Sequence, residues 1–275
     1  MSASVAKRWT RWPAYAFPAA ATLLLALMAL LQITSIRQEA QTYDEAVYIS
    51  AGYAYWTTGD FRLNPEHPPL AKLLVALPLL LFHDLTAPLQ SAAWKTSDQY
   101  AYAAEFIYKN RVPADTILFA SRCVTIVVTL TFGLLVALWT KRRAGTLPAL
   151  VALALFAFDP NILAHGRYAT NDLYLAFFFF LAPVLWNRAL RRDSLLDYGV
   201  AGIALGLACC TNVSGLLLVP IFALLCIRRT RRTRTCALGS VVAAVSICSR
   251  AGTQSPQSLA RSVQAAARRI SQALR

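Results

Sequence analysis

AYAFPAAATLLLALMALLQIT, residues 14–34, carries no charged side chain across 21 consecutive positions. A bilayer core about 30 Å thick is crossed by a helix of about twenty apolar residues. Backbone amides in hydrocarbon must find their hydrogen bonds internally, so a run of this kind predicts a transmembrane helix. Similar apolar runs recur over 116–140, 146–163, 173–190, 198–212 and 214–227. The last two are short, and one of them is expected to be broken or tilted. The chain has 275 residues, 57% hydrophobic and only 15% charged, whereas a soluble domain carries about 25% charged residues. The expected fold is all-α, a polytopic transmembrane helical bundle.

The charges that remain are ordered. Lys7, Arg8 and Arg11 precede the first run. Further basic clusters fall at Lys141, Arg142 and Arg143, at Arg188, Arg191 and Arg192, and from Arg228 to Arg234. Each cluster follows an even number of spans, so all share one side. The positive-inside rule makes that side the cytoplasm. The net charge of +14 is therefore a topology signal, and no nucleic-acid partner is expected. The basic N-terminus also fits a secretory signal, but the run after it is long and Gln32-Ile33-Thr34 is no small-residue cleavage site, so a retained helix is expected. Six cysteines, none in a Cys-x-x-Cys pair, behave as small apolar residues.

Between the first two spans lies a loop over about 35–115. It holds nine of the thirteen acids: Glu39, Asp44, Glu45, Asp60, Glu66, Asp84, Asp98, Glu105 and Asp115. A structureless loop of this length is uncommon, so helices are expected within it. Ala46, Ile49, Tyr53 and Trp56 stand at helical spacing over 44–57. Residues 69–82 form a second apolar helix, opened by Pro68-Pro69. Fourteen residues with Lys72 in the first turn suit an interfacial or re-entrant helix. By the same count of spans a second loop, from Asp159 to Asp172, shares the extracytoplasmic face. The Asp44 and Asp172 loops are thus expected to converge on one cavity.

Composition changes from about residue 228. No acid follows Asp197 and no lysine follows Lys141, while arginine, serine and alanine accumulate. This divides the chain into a membrane-embedded domain over 1–234 and an Arg/Ser/Ala-rich tail over 235–275. The tail reads as disordered, as a membrane-surface helix, or as the product of a frameshift.

Four elements in order resemble a known family. They are Asp44-Glu45 after the first span, then His67-Pro68-Pro69-Leu70-Ala71-Lys72-Leu73-Leu74, then Arg167-Tyr168 with Asp172 opening a span, then a Gly-rich span containing Gly202 and Gly206. Together they look like the protein O-mannosyltransferases and related family-39 glycosyltransferases of the GT-C membrane fold, over roughly 40–220. The family has more spans than this chain, so the resemblance implies a C-terminal truncation. A lysine that often follows the family's Gly-rich span is replaced by Asn212.

The resemblance implies transfer of a hexose, mannose in the first instance, from a polyprenyl-phosphate donor to an extracytoplasmic protein, glycan or lipid acceptor, with inversion. It points to Asp44 as general base, a role open to a carboxylate within reach of the acceptor hydroxyl, with Glu45 positioning it or binding acceptor. The same acids also favour a helix N-terminus on dipole grounds alone. Arg167 suits the donor phosphate because its planar fork matches phosphate oxygens, and His67 and Lys72 are further candidates. Asp172 and His165 could orient acceptor or hold a metal. Magnesium, calcium, manganese and zinc all fit such ligands, so the metal stays open. An integral protein of the plasma or inner membrane is expected, surrounded by lipid. The alternatives are an inactive truncated fragment, a partner subunit of such an enzyme, or a transporter. A transporter would bury its charges in mid-span rather than gather them in loops.

Overall fold

A computed structural model describes residues 13–226, and within them there are helices, turns and no strands. The first helix, α1 (Ala16–Ile36), spans 21 residues. The long loop folds into α2 (Tyr43–Thr58), α3 (Leu70–Ala76) continued by a 3-10 turn over Leu77–Leu81, α4 (Ala92–Thr96) and α5 (Gln99–Tyr108). Then come α6 (Ala114–Ala144), α7 (Thr146–Phe158), α8 (Pro160–His165), α9 (Asp172–Arg192) and α10 (Leu195–Thr211). A 3-10 turn over Val213–Leu217 and α11 (Leu218–Cys226) complete the described residues. Helices α1, α6 and α9 are each long and apolar enough to cross a membrane.

The run over 146–163 differs from its expected form. It is two helices, because Asp159 leaves helical geometry and caps α8 by accepting from the Ile162 amide at 2.9 Å. Pro160 then supplies the first residue of α8, where a missing N–H costs nothing. The thirteen residues of α7 rise only about 20 Å, less than the hydrocarbon thickness. Helix α10, with 17 residues, is also shorter than an ordinary span. The arginine-rich tail and the basic cluster from Arg228 lie outside the described residues.

The chain divides into two compact units. One comprises residues 13–40 and 125–168. Its core is Phe17, Ala21, Ala137, Ala149 and Leu153, where small residues let α1, α6 and α7 approach. Gly166 is needed at its loop, since a Cβ there would lie 2.4 Å from the Ile162 carbonyl oxygen.

The other unit comprises residues 41–124 and 169–226. Its bundle core is Trp186, stacked on Phe222 at 4.4 Å and edge-on to Tyr198 at 6.0 Å. Ala201, Ala204, Leu205 and Ala208 of α10 pack against α9. Gly202 and Gly206 are buried on this helix, as expected of a small-residue packing face. Leu70 of α3 packs on the same cluster, which fastens the loop helices to the bundle.

Candidate active site

Helix α2 starts with a capping box: the Glu45 carboxylate accepts from the Thr42 amide at 2.8 Å and from its hydroxyl at 3.1 Å. The same carboxylate is gripped from α6, where Arg122 donates through Nε at 2.9 Å and a terminal nitrogen at 2.7 Å. A fifth bond comes from the Ala169 amide at 2.9 Å. Glu45 and Arg122 are 0% and 1% exposed. A charge buried so completely is tolerable only when paired and hydrogen-bonded, and this one is both. Glu45 therefore joins α2, α6 and the segment entering α9 through a single carboxylate.

Asp44, one residue earlier, is exposed and forms no hydrogen bond or ion pair among the described residues. Adjacent acids on one helix thus have opposite fates. One is locked, and the other projects from the helix N-terminus, where the backbone dipole favours its negative charge.

Below Asp44 sits Tyr48, buried in α2. Burial raises the pKa of its phenol, and the nearby charges of Asp172, Asp44 and Glu66 raise it further. Tyr48 therefore lies within electrostatic reach of both the Asp44 and the Asp172 segments of the second unit. Asp172 is exposed in the first turn of α9.

The His67 ring lies 6.0 Å from that of Tyr48, and its Nδ1 is buried without a hydrogen-bond partner among the described residues. Its neighbour Glu66 is held by Asn64 Nδ2 at 2.7 Å and Gln99 Nε2 at 3.2 Å. Lys72 has its backbone against Gly52 of α2, where an added Cβ would stand 2.0 Å from the Lys72 carbonyl oxygen. Its side chain is fully buried and turned inward, onto the loop. Burial lowers its pKa to about 7, with Glu66 opposing the shift.

Arg167 and His165 belong to the first unit. Arg167 makes a two-pronged pair with Glu39, at 3.0 and 2.7 Å, and its guanidinium lies 5.2 Å from the Tyr168 ring centre. Burial alone would raise the Glu39 pKa, but hydrogen bonds from Ser35, Tyr168 and Arg167 hold it below the usual carboxylate value. His165 is exposed at the end of α8. Among the described residues no three His, Cys, Asp or Glu side chains are grouped to hold a metal ion. Asn212 accepts from the Ser214 amide at 2.9 Å and so caps the 3-10 turn after α10.

Reading the sequence missed Arg122 and Glu39. Arg122 was hidden in a run scored as apolar, although an arginine inside a span is itself a signal that a carboxylate must meet it. Glu39 carried no signal beyond its place in an acidic loop.

One comparison with known proteins bears on this arrangement. The model of the dolichyl-phosphate-mannose-protein mannosyltransferase family matches residues 20–248. The chain belongs to this family. It is accordingly a membrane glycosyltransferase of the mannosyltransferase kind. No curated protein and no solved structure matches the chain.

Proposed function

We propose that the chain transfers mannose from a polyprenyl-phosphate donor to a hydroxyl of an extracytoplasmic protein, with Asp44 as general base. The observation that carries this reading is the contrast between Asp44 and Glu45. Five hydrogen bonds fix Glu45, so it acts by holding the start of α2. That leaves the Asp44 carboxylate in a defined place and free to accept a proton.

In the reaction the acceptor oxygen attacks the anomeric carbon as the carbon–oxygen bond to phosphate breaks. The acceptor proton passes to Asp44, and polyprenyl phosphate leaves with the bonding pair. Direct displacement inverts the anomeric centre. Asp172, close enough to act on the same phenol as Asp44, orients the acceptor. His67, whose side chain is half-buried beside Tyr48, is assigned to a donor oxygen.

Arg167 is given no step, since Glu39 already occupies its fork. Neither a metal-dependent step nor a role for His165 is assigned. The reading is tested by incubating purified protein in proteoliposomes with polyprenyl-phosphate mannose and a serine/threonine-rich peptide. Mannosylated peptide is expected from the wild type and none above background from Asp44→Asn; equal product from both removes Asp44 from the mechanism.

A further inference from the structure

The turn from Asn64 to Pro69 has little means of holding itself. Three of its six residues are prolines, which have no N–H to donate. Among the described residues the only backbone–backbone hydrogen bond it joins, outside regular helix, is from the Leu73 amide to the Pro69 carbonyl. Buried carbonyls need donors from elsewhere. Lys72 supplies them.

Its ammonium donates to the carbonyl oxygens of Asn64 at 2.6 Å and His67 at 2.7 Å, and to the Tyr55 hydroxyl at 3.2 Å. Tyr55 in turn donates to the Leu63 carbonyl. Below its pKa of about 7 the group has three N–H donors and all three are used; above it the neutral amine keeps two, enough for the two carbonyls. The rings of Tyr55 and Tyr48 flank the nitrogen at 5.3 and 5.9 Å. The side chain has no exposure to solvent, and no carboxylate lies within ion-pair distance among the described residues.

We propose that Lys72 is a positioning residue, whose side-chain nitrogen gathers the Asn64–Pro69 turn and so sets Glu66 and His67 beside Tyr48, without itself touching the donor phosphate. This replaces the phosphate role that its place in the His-Pro-Pro motif suggests. Only the activity arm of the test rests on the transferase reading above.

The first arm is amine acetylation of the protein in detergent at pH 8, with and without polyprenyl phosphate, followed by peptide mass spectrometry. Lys95 and Lys109, both exposed, are expected to react, while Lys72 stays unmodified in both samples. Acetylation of Lys72 at a rate like that of Lys95 overturns the proposal. So does labelling of Lys72 that polyprenyl phosphate suppresses.

The second arm is kinetic. Lys72→Met is expected to lower kcat by about tenfold to a hundredfold, the cost of small misplacements at a reacting centre, with donor KM changed by no more than about twofold. Tyr55→Phe, which removes one partner and keeps the lysine, gives a smaller loss of the same kind and serves if Lys72→Met does not fold. A large rise in donor KM at unchanged kcat contradicts the proposal. If the wild type transfers no mannose, the transferase reading has failed, and the acetylation arm still decides the place of Lys72.

Discussion

Single residues carry most of the chemistry inferred here, and their burial separates their effects. Glu45 and Arg122 form a buried, two-pronged pair, so Glu45→Gln takes the Glu45 charge away from a buried guanidinium. Removing one partner of such a pair costs about 3–5 kcal/mol, and the thermal midpoint in detergent should fall by several degrees. Asp44→Asn loses only a favourable dipole contact of about 1 kcal/mol or less, so its midpoint should stay near the wild-type value. Lys72 adds a pH signature. Its pKa falls from 10.5 in the unfolded chain to about 7 in the folded one, so between those values the unfolded chain binds more protons. Stability therefore rises with pH across that window. Denaturation midpoints measured from pH 7 to 10 should climb in the wild type and lose that slope in Lys72→Met. The sequence made Asp44, His67 and Asp172 candidates, but it could not tell which acid of the Asp44-Glu45 pair was free. Both are carboxylates, and the strongest grip on Glu45 comes from Arg122, a partner 77 positions away.

Helices place those residues, and here the sequence was a good guide where periodicity was strong. The helix expected over 44–57 occupies Tyr43–Thr58, ended by Gly59 at positive φ. The second loop helix begins at Leu70, with Pro69 as its cap residue. Helices α4 and α5 were not anticipated. At five and ten residues they are too short for a periodic signal, although Ser91 and Asp98 cap them through side-chain oxygens. The break at Asp159 was also missed, because the apolar character continues across Pro160. The contact of α2 with α3 depends on Gly52, whose missing Cβ admits the Lys72 backbone. Gly52→Ala must push the two helices apart, a strain of about 1–3 kcal/mol. A drop in thermal midpoint together with a loss of transfer is expected; an unchanged midpoint would mean that the helices do not approach so closely.

Across the whole molecule, an all-α membrane protein was legible from unbroken apolar length alone, and its family from four short motifs in order. Long-range pairs such as Arg167 with Glu39, 128 positions apart, had no such signature, since charge complementarity does not specify a partner. The orientation drawn from the basic clusters is tested by single cysteines at positions 90 and 142 in intact cells. The first should react with an impermeant maleimide and the second only after lysis. The most direct test of the account separates folding from catalysis in one pair of variants, Asp44→Asn and Glu45→Gln, each measured for thermal midpoint and for mannose transfer in proteoliposomes. The account predicts that Asp44→Asn keeps the wild-type midpoint and loses transfer, while Glu45→Gln loses midpoint first. Transfer retained by a stable Asp44→Asn protein would contradict it.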